Sequence, residues 1–332
     1  MWARFLLGEG ENELGELVLD LRFVTPDVIA PRPRPGPQCV QVAQPRPVRP
    51  LDGEIDMAYF RTSTDGTRLH FIDYGPADGP ALVFVNSAYF DTGMWEFQML
   101  PLAAEGYRCV GFDRRGHGRS EDVWGGFDLD TLADDLGALL DHLDLRDVTL
   151  IGHSLGTAEA VRYLTREGSS RVARLALVGG MAPGIVRGDE NPDGVPAEAI
   201  AAANETFRQD RAQFFASGAE DYFALGLPGN DVSAAYVRKV IQDCHGATAR
   251  AATAVLATFV TLEMAPELRK IDVPTLVVHG DRDVSAPIDL TGRRAAALVP
   301  GSTFKVYENA GHGLYVTHAE QLNADLREFV GH

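Results

Sequence analysis

Lysine is nearly absent from this chain. Only Lys239, Lys270 and Lys305 occur among 332 residues, and the other basic side chains are arginines. Acidic residues outnumber basic ones, 47 to 30, for a net charge of −17 at pH 7. Binding to phosphates needs clustered cations, so a nucleic-acid partner is not expected. An anionic membrane surface is disfavoured on the same ground. Cysteine is scarce too. Cys39, Cys109 and Cys244 stand far apart, which gives neither a disulfide framework nor the paired spacing of a zinc site. No apolar run reaches the ~18 residues of a membrane-spanning helix. The apolar start, Met1 to Leu7, gives way to Glu9, Glu11, Glu13 and Glu16, which does not have the form of a signal peptide. These absences leave an ordinary globular composition, 45% hydrophobic and 23% charged, with the cytoplasm as the expected location. No metal or cofactor is expected. The expected partner is a small-molecule substrate, with self-association into a homo-oligomer left open.

The texture of the chain changes near residue 60. Before it, residues 31–50 hold seven prolines interleaved with arginine, as in Pro31-Arg32-Pro33-Arg34-Pro35. Proline fixes φ and removes a donor, so residues 1–59 read as a leader and an extended linker. After it, apolar runs at Thr67–Tyr74, Ala81–Val85, Cys109–Phe112, Val148–Ile151 and Leu175–Val178 alternate with helical patterns. That alternation predicts a parallel sheet covered on both faces, an α/β fold. The pattern breaks over residues 184–268, which read as helical throughout with Gly/Pro punctuation at 226–229. It resumes with strands at Thr275–His279 and Phe304–Tyr307, a helix over 289–298 and a final helix over 317–330. The core is therefore expected in two stretches, 60–183 and 269–332, with 184–268 as a helical lid over the carboxyl ends of the strands, where such sheets bind ligands.

The most specific local feature is Gly152-His153-Ser154-Leu155-Gly156, a G-x-S-x-G directly after the strand Val148–Ile151. A strand running into a sharp turn and then a helix pushes the serine Oγ out over the sheet edge. The helix is expected to begin near Thr157. A serine hydroxyl attacks only when a base takes its proton and a carboxylate holds that base. On this architecture the partners follow in the order Ser, Asp, His, each after a strand. Gly280-Asp281-Arg282-Asp283 follows one predicted strand, and Asn309-Ala310-Gly311-His312-Gly313 follows another. Ser154, Asp283 and His312 are thus the expected nucleophile, acid and base. Asp283 is preferred to Asp281 because a side chain further from the strand end reaches a neighbouring loop. The glycines beside His312 are read as giving it conformational room. Two backbone N–H groups must face the developing oxyanion. They are expected from Leu155, at the start of the helix, and from Ala88, in the loop Asn86-Ser87-Ala88-Tyr89.

Other side chains carry weaker signals. Tyr89, Tyr222, Phe223, His245 and Phe259 are candidate pocket residues, although aromatics at helical spacing are more often core. A histidine in the position of His245 is more often a surface residue. His153 is expected to pack or cap, His117 to support a turn, and His318 to cap the last helix. Cys244 reads as a small buried hydrophobe.

Residues 60–330 resemble the cofactor-free, non-haem haloperoxidases and aryl esterases of the α/β-hydrolase superfamily. The resemblance rests on Gly106-Tyr107-Arg108 through Asp113-Arg114-Arg115-Gly116-His117-Gly118-Arg119-Ser120, on Leu145-Arg146-Asp147-Val148-Thr149-Leu150, and on Asp272-Val273-Pro274-Thr275-Leu276-Val277-Val278-His279-Gly280. It continues through Val306-Tyr307 and His312-Gly313-Leu314-Tyr315-Val316-Thr317-His318 to Leu322-Asn323-Ala324-Asp325-Leu326. It implies an α/β-hydrolase fold and the same three residues as a triad. Two stretches depart from the family. Its oxyanion loop usually reads His-Gly-Trp-Pro, whereas Asn86-Ser87 is similar to the start of that loop in 3-oxoadipate enol-lactonases. Alanine at 88 in place of tryptophan should widen the acyl pocket. After the serine the family often has Thr-Gly-Gly or Met-Gly-Gly, whereas this chain has Leu155-Gly156-Thr157.

The primary expectation is a serine hydrolase that cleaves an ester or lactone through an acyl-enzyme. The alternative from the same triad is perhydrolysis, in which hydrogen peroxide attacks the acyl group and the peracid oxidises halide. A third reading is a non-catalytic binding protein on a hydrolase fold, against which the complete Ser/Asp/His set argues.

Overall fold

The computed structural model describes residues 58–259 and 261–331 of the chain. The expectations for the leader, its proline-rich stretch and Cys39 lie outside the described residues. Strand β1 (Tyr59–Arg61) pairs with β2 (Arg68–Tyr74), and β3 (Ala81–Val85) leads to helix α1 (Glu96–Ala104). Strand β4 (Arg108–Phe112), helix α2 (Leu129–His142), β5 (Val148–His153), α3 (Leu155–Glu167) and β6 (Val172–Val178) follow. A helical stretch comes next: α4 (Ala197–Gln209), α5 (Arg211–Ser217), α6 (Ala219–Phe223), α7 (Ala234–Cys244), α8 (Ala249–Phe259) and α9 (Ala265–Leu268). The chain closes with β7 (Thr275–Gly280), α10 (Gly292–Leu298), β8 (Thr303–Tyr307), α11 (Leu314–Thr317) and α12 (Ala319–Val330).

The eight strands form one sheet in the order β1-β2-β4-β3-β5-β6-β7-β8. Pairings β1/β2 and β2/β4 are antiparallel, and the rest are parallel. Strands β5 and β7 are buried along their whole length, as continuous apolar strands between two helical layers must be. Right-handed crossovers decide which helix covers which face. From β3 the chain steps one way along the sheet to β4, so α1 lies on one face. From β4 onward it steps the other way, so α2, α3 and α10 lie on the opposite face. In agreement, α1 packs with α12, whereas α2 packs with α3. The reversal falls between β3 and β5. An open α/β sheet has a crevice at such a point, outside the carboxyl ends of its strands. Helix α2 shows the local logic. Asp128 caps it by accepting from Thr131 N–H at 3.0 Å, and Leu132, Leu136, Leu139 and Leu140 form its buried stripe.

Three boundaries differ from the sequence expectation. Helix α3 starts at Leu155, immediately after the serine, rather than near Thr157. Residues 184–196 are not helical. There Asn191 Nδ2 donates to Val186 O at 3.1 Å and bridges join Val186 to Val195 and Gly188 to Asn191, so the Asn191-Pro192-Asp193-Gly194 turn closes a loop that Pro196 ends. The last helix starts at Ala319 rather than 317, and His318, at φ −119°, separates it from the short helix α11 before it. His318 stands at the cap position of α12, but its side chain makes no capping hydrogen bond. Among the described residues no helix is long and apolar enough to cross a membrane.

Candidate active site

Ser154 stands between β5 and α3 with φ 54° and ψ −117°. A left-handed φ costs a non-glycine residue of order 1–3 kcal/mol and persists only where the surroundings over-determine it. They do so here. Ser154 N–H donates to Val178 O at 3.2 Å, and Ser154 O accepts from Thr157 N–H, Thr157 Oγ1 and Met181 N–H at 3.1, 2.6 and 3.2 Å. Both flanking glycines are steric necessities. A Cβ on Gly152 would meet Gly156 O at 2.5 Å, and one on Gly156 would meet Val85 O at 2.3 Å.

Asp283 follows β7, and its Oδ1 accepts from the N–H groups of Ser285 and Ala286 at 2.9 and 2.8 Å. Its Oδ2 lies 2.7 Å from His312 Nδ1 and 3.3 Å from His279 Nε2. Burial alone would raise this carboxyl's pKa, but the His312 charge and the hydrogen bonds from His279 and His312 outweigh it and hold the group well below the usual range. Asp281 takes no part in this contact; the nearest cation to it is Arg282, at 3.9 Å. His279, within the strand that supports the acid, was not singled out from sequence because a histidine inside an apolar strand gives no periodic or spacing signal.

His312 follows β8. Its carbonyl accepts from His153 Nε2 at 2.9 Å, and its ring meets those of His153 and Tyr222 at 4.7 and 5.4 Å between centroids. Burial holds the pKa of His153 well below its ordinary value, so that ring is neutral. His117 supports a turn as expected, with Nδ1 2.9 Å from Arg115 O. The glycines beside His312 serve a different purpose from the one expected. Neither has a left-handed φ; instead a Cβ on Gly311 would meet Tyr222 O at 2.7 Å, and one on Gly313 would meet the Phe223 ring at 2.4 Å. They let α6 close onto the histidine loop.

Ser154 and His312 line one cavity together with Ala88 and Tyr89. Among the described residues the N–H groups of Ala88 and Leu155 have no hydrogen-bond partner. Leu155 is the first residue of α3, where N–H groups are unpaired and the helix dipole favours negative charge. Asn86 is used structurally: its Nδ2 donates to Phe112 O at 2.8 Å, and its Oδ1 accepts from Trp95 Nε1 at 3.1 Å. Tyr89 has φ 70° and stacks on Phe207 at 5.5 Å.

The helical stretch between β6 and β7 supplies most of the remaining wall: Phe214, Phe215, Ala219, Tyr222, Phe223, Val240, Ile241 and Cys244. Of the candidate pocket residues, Tyr89, Tyr222 and Phe223 line this cavity. His245 is not in the wall. It follows α7 with its ring against Phe215, 5.3 Å between centroids. The side chain of Phe259 lies outside the described residues. The cavity that Ala88 lines holds about 80 Å³. No Asp, Glu, Lys or Arg lines it. The Cys244 thiol does, and burial raises its pKa, which keeps it protonated. Among the described residues no group of three His, Cys, Asp or Glu is placed to hold a metal ion.

Behind the cavity lies a buried ion pair that sequence reading missed. Arg114, at the end of β4, contacts Glu159 of α3 at 2.6 Å, and both side chains are almost fully buried. Burial raises the Glu159 pKa to about 7, against the pull of Arg114.

Comparison with known proteins agrees with this fold. The sequence profile described as "alpha/beta hydrolase fold" matches residues 80–319. The non-heme chloroperoxidase CPO-A1 of Kitasatospora aureofaciens is 38% identical over 271 residues, spanning 81% of this chain and 98% of that one. The bifunctional esterase/perhydrolase DCH of Acinetobacter calcoaceticus is 33% identical over 270 residues, with the same coverage of 81% and 98%. Among solved structures, the esterase EaEST from Exiguobacterium antarcticum superposes with a TM-score of 0.78 at 28% identity, covering 83% of this chain and 99% of that one.

Proposed function

The chain belongs to the alpha/beta hydrolase fold family, and from that premise we propose that it is a serine hydrolase that cleaves a small carboxylic ester or lactone. One observation carries the reading: His312, held by Asp283 at 2.7 Å, lines the same cavity as Ser154, whose backbone is held at φ 54°. His312 Nε2 takes the Ser154 proton as Oγ attacks the acyl carbon. The negative oxygen that forms is held by the N–H groups of Ala88 and Leu155. His312 then gives the proton to the departing alkoxide, leaving an acyl-serine and a free alcohol. Water, deprotonated by His312, attacks the acyl group and releases the acid, and Ser154 regains its proton. Asp283 keeps Nδ1 protonated throughout.

The wall sets the substrate class. It is apolar and uncharged, so it suits a neutral acyl group. At roughly 10–15 Å³ for each water-sized site, about 80 Å³ accepts a short acyl chain or a single ring. Residues 184–268 act as the lid that shapes this wall. A fluorophosphonate probe is expected to label Ser154, and Ser154→Ala should lose about 10⁵–10⁶ in kcat. Retained turnover in that variant would overturn the mechanism, and failure of the probe to label Ser154 would favour a binding role.

Perhydrolysis is the second reading, favoured by the likeness to proteins named as a chloroperoxidase and an esterase/perhydrolase. Hydrogen peroxide then replaces water at the acyl-serine and leaves as the peracid. Bromination of a dione indicator in acetate, bromide and peroxide, lost in Ser154→Ala, tests it. No signal with active ester hydrolysis leaves hydrolysis alone.

A further inference from the structure

The buried pair Arg114–Glu159 touches neither Ser154 nor His312, and the hydrolytic steps above do not use it. Removing two charges from water costs several kcal/mol per ion after relaxation. A pair of this kind is therefore weak support for stability, and its contacts must be read for what else they do. Arg114 Nε donates to Glu159 Oε1 at 2.7 Å. Nη2, 2.6 Å from the same Glu159 oxygen, also donates to Asn86 O of the oxyanion loop at 2.9 Å, and Nη1 donates to Ser87 O at 3.2 Å.

Those two carbonyls belong to successive peptide units. A peptide is planar and trans, so its C=O and N–H point in opposite directions. Fixing Ser87 O toward Arg114 therefore turns the Ala88 N–H away from Arg114. Fixing Asn86 O does the same to the Ser87 N–H, which is found on Met94 Sδ at 3.2 Å. Ala88 lines the cavity, Arg114 does not, and the Ala88 N–H has no partner among the described residues. The other end of the pair lies on the helix that carries the second donor. Glu159 sits on α3, whose first N–H is that of Leu155. Within the sheet, β3 lies between β4 and β5, so Arg114 spans from the end of β4, across the loop after β3, to the helix after β5.

We propose that Arg114 and Glu159 are positioning residues that orient the Ala88 N–H and fix its distance from the Leu155 N–H, so that the oxyanion site is assembled before substrate arrives. This rests on the serine-hydrolase reading. A brace of this kind acts on the tetrahedral species and not on the planar ester, so its loss should appear in kcat and not in KM.

The test compares wild type, Arg114→Met/Glu159→Met and Arg114→Lys. The double variant removes both charges together, which avoids stranding one of them. Arg114→Lys keeps a cation opposite Glu159, and with it the fold, but loses the planar fork that grips two carbonyls at once. Folding is checked by thermal melting. On a p-nitrophenyl ester, the double variant is expected to lose about 10²–10³ in kcat with KM within about threefold, and Arg114→Lys to lose at least about tenfold. Inhibition by an aryl trifluoromethyl ketone, which forms an oxyanion on the serine, should weaken by the same factors. A folded variant with kcat and ketone affinity both within about threefold of wild type overturns the proposal, as does a loss confined to KM. Labelling of wild-type Ser154 by fluorophosphonate and the inactivity of Ser154→Ala establish the underlying reading separately. With those in hand, a failure at Arg114 counts against the brace alone.

Discussion

His279 Nε2 lies 3.3 Å from the Asp283 oxygen that also receives His312. The same nitrogen is 2.7 Å from Ala286 O, so it carries a proton, while Nδ1 has no partner among the described residues. His279 is thus a donor that steadies the carboxylate. His279→Gln keeps a donor and should hold kcat within about tenfold, whereas Asp283→Asn should lose about 10⁴, because an amide holds the wrong tautomer of the base. Steady-state kinetics on one ester separate the two, and equal losses would count against giving Asp283 the larger role.

Gly156→Ala tests the seam between strand and helix. The added Cβ would stand 2.3 Å from Val85 O and 2.8 Å from Asn86 O, both backbone atoms. Overpacking of this kind costs about 1–3 kcal/mol, and here the displaced atoms carry the oxyanion loop. A fall in melting temperature and a loss of at least about 10² in kcat are expected, on the scale of one missing oxyanion donor. Gly125→Ala, which meets nothing within 4 Å, is the control and should change neither.

Acid should weaken the fold in a defined window. Burial, helped by the nearby Arg114 charge, lowers the pKa of His117 from 6.5 to about 3. The unfolded chain therefore takes up this proton first as pH falls, so the stabilisation is complete above 6.5 and is lost progressively toward 3. The slope is about 1.4 kcal/mol per pH unit for one such group. His153, lowered for the same reason, acts in the same direction. Urea unfolding between pH 4 and 7 should show a shallower slope, by about one proton, in His117→Gln.

Acyl selectivity should follow the insertion. Val240 lines the cavity from α7. Val240→Ala removes two methyl groups and should raise kcat/KM for an ester one or two carbons longer by about tenfold relative to the acetate, since a methylene in an apolar pocket is worth about 1–3 kcal/mol. An unchanged chain-length profile over p-nitrophenyl acetate to octanoate would show that the acyl group lies elsewhere.

Strands β2 to β8 and the candidate order Ser154, Asp283, His312 were legible because both depend on local pattern: runs of five to seven residues, and polar residues just past their ends, whereas the three-residue β1 gave no such run. The choice of Asp283 over Asp281 was legible too, through reach. What was not legible depends on tertiary contact. Arg114 and Glu159 are 45 positions apart, and nothing near either one announces the other. His245 lies one residue beyond Cys244, yet only the cysteine reaches the cavity, because the helix ends there and turns the next side chain onto Phe215. Residues 184–196 looked helical by default; their fold is set by side-chain bonds from Asn191 rather than by periodicity.

The reversal of winding between β3 and β5 has a consequence for how such a protein changes over time. The groups assigned to bond-making hang from the sheet, while the apolar wall comes from a stretch inserted between β6 and β7. Reactivity and taste for substrate are thus written in separate paragraphs of the chain. Either can drift, or be transplanted between relatives, with the other left intact, provided that the few residues joining them, Tyr222 and Phe223 against Gly311 and Gly313, continue to fit.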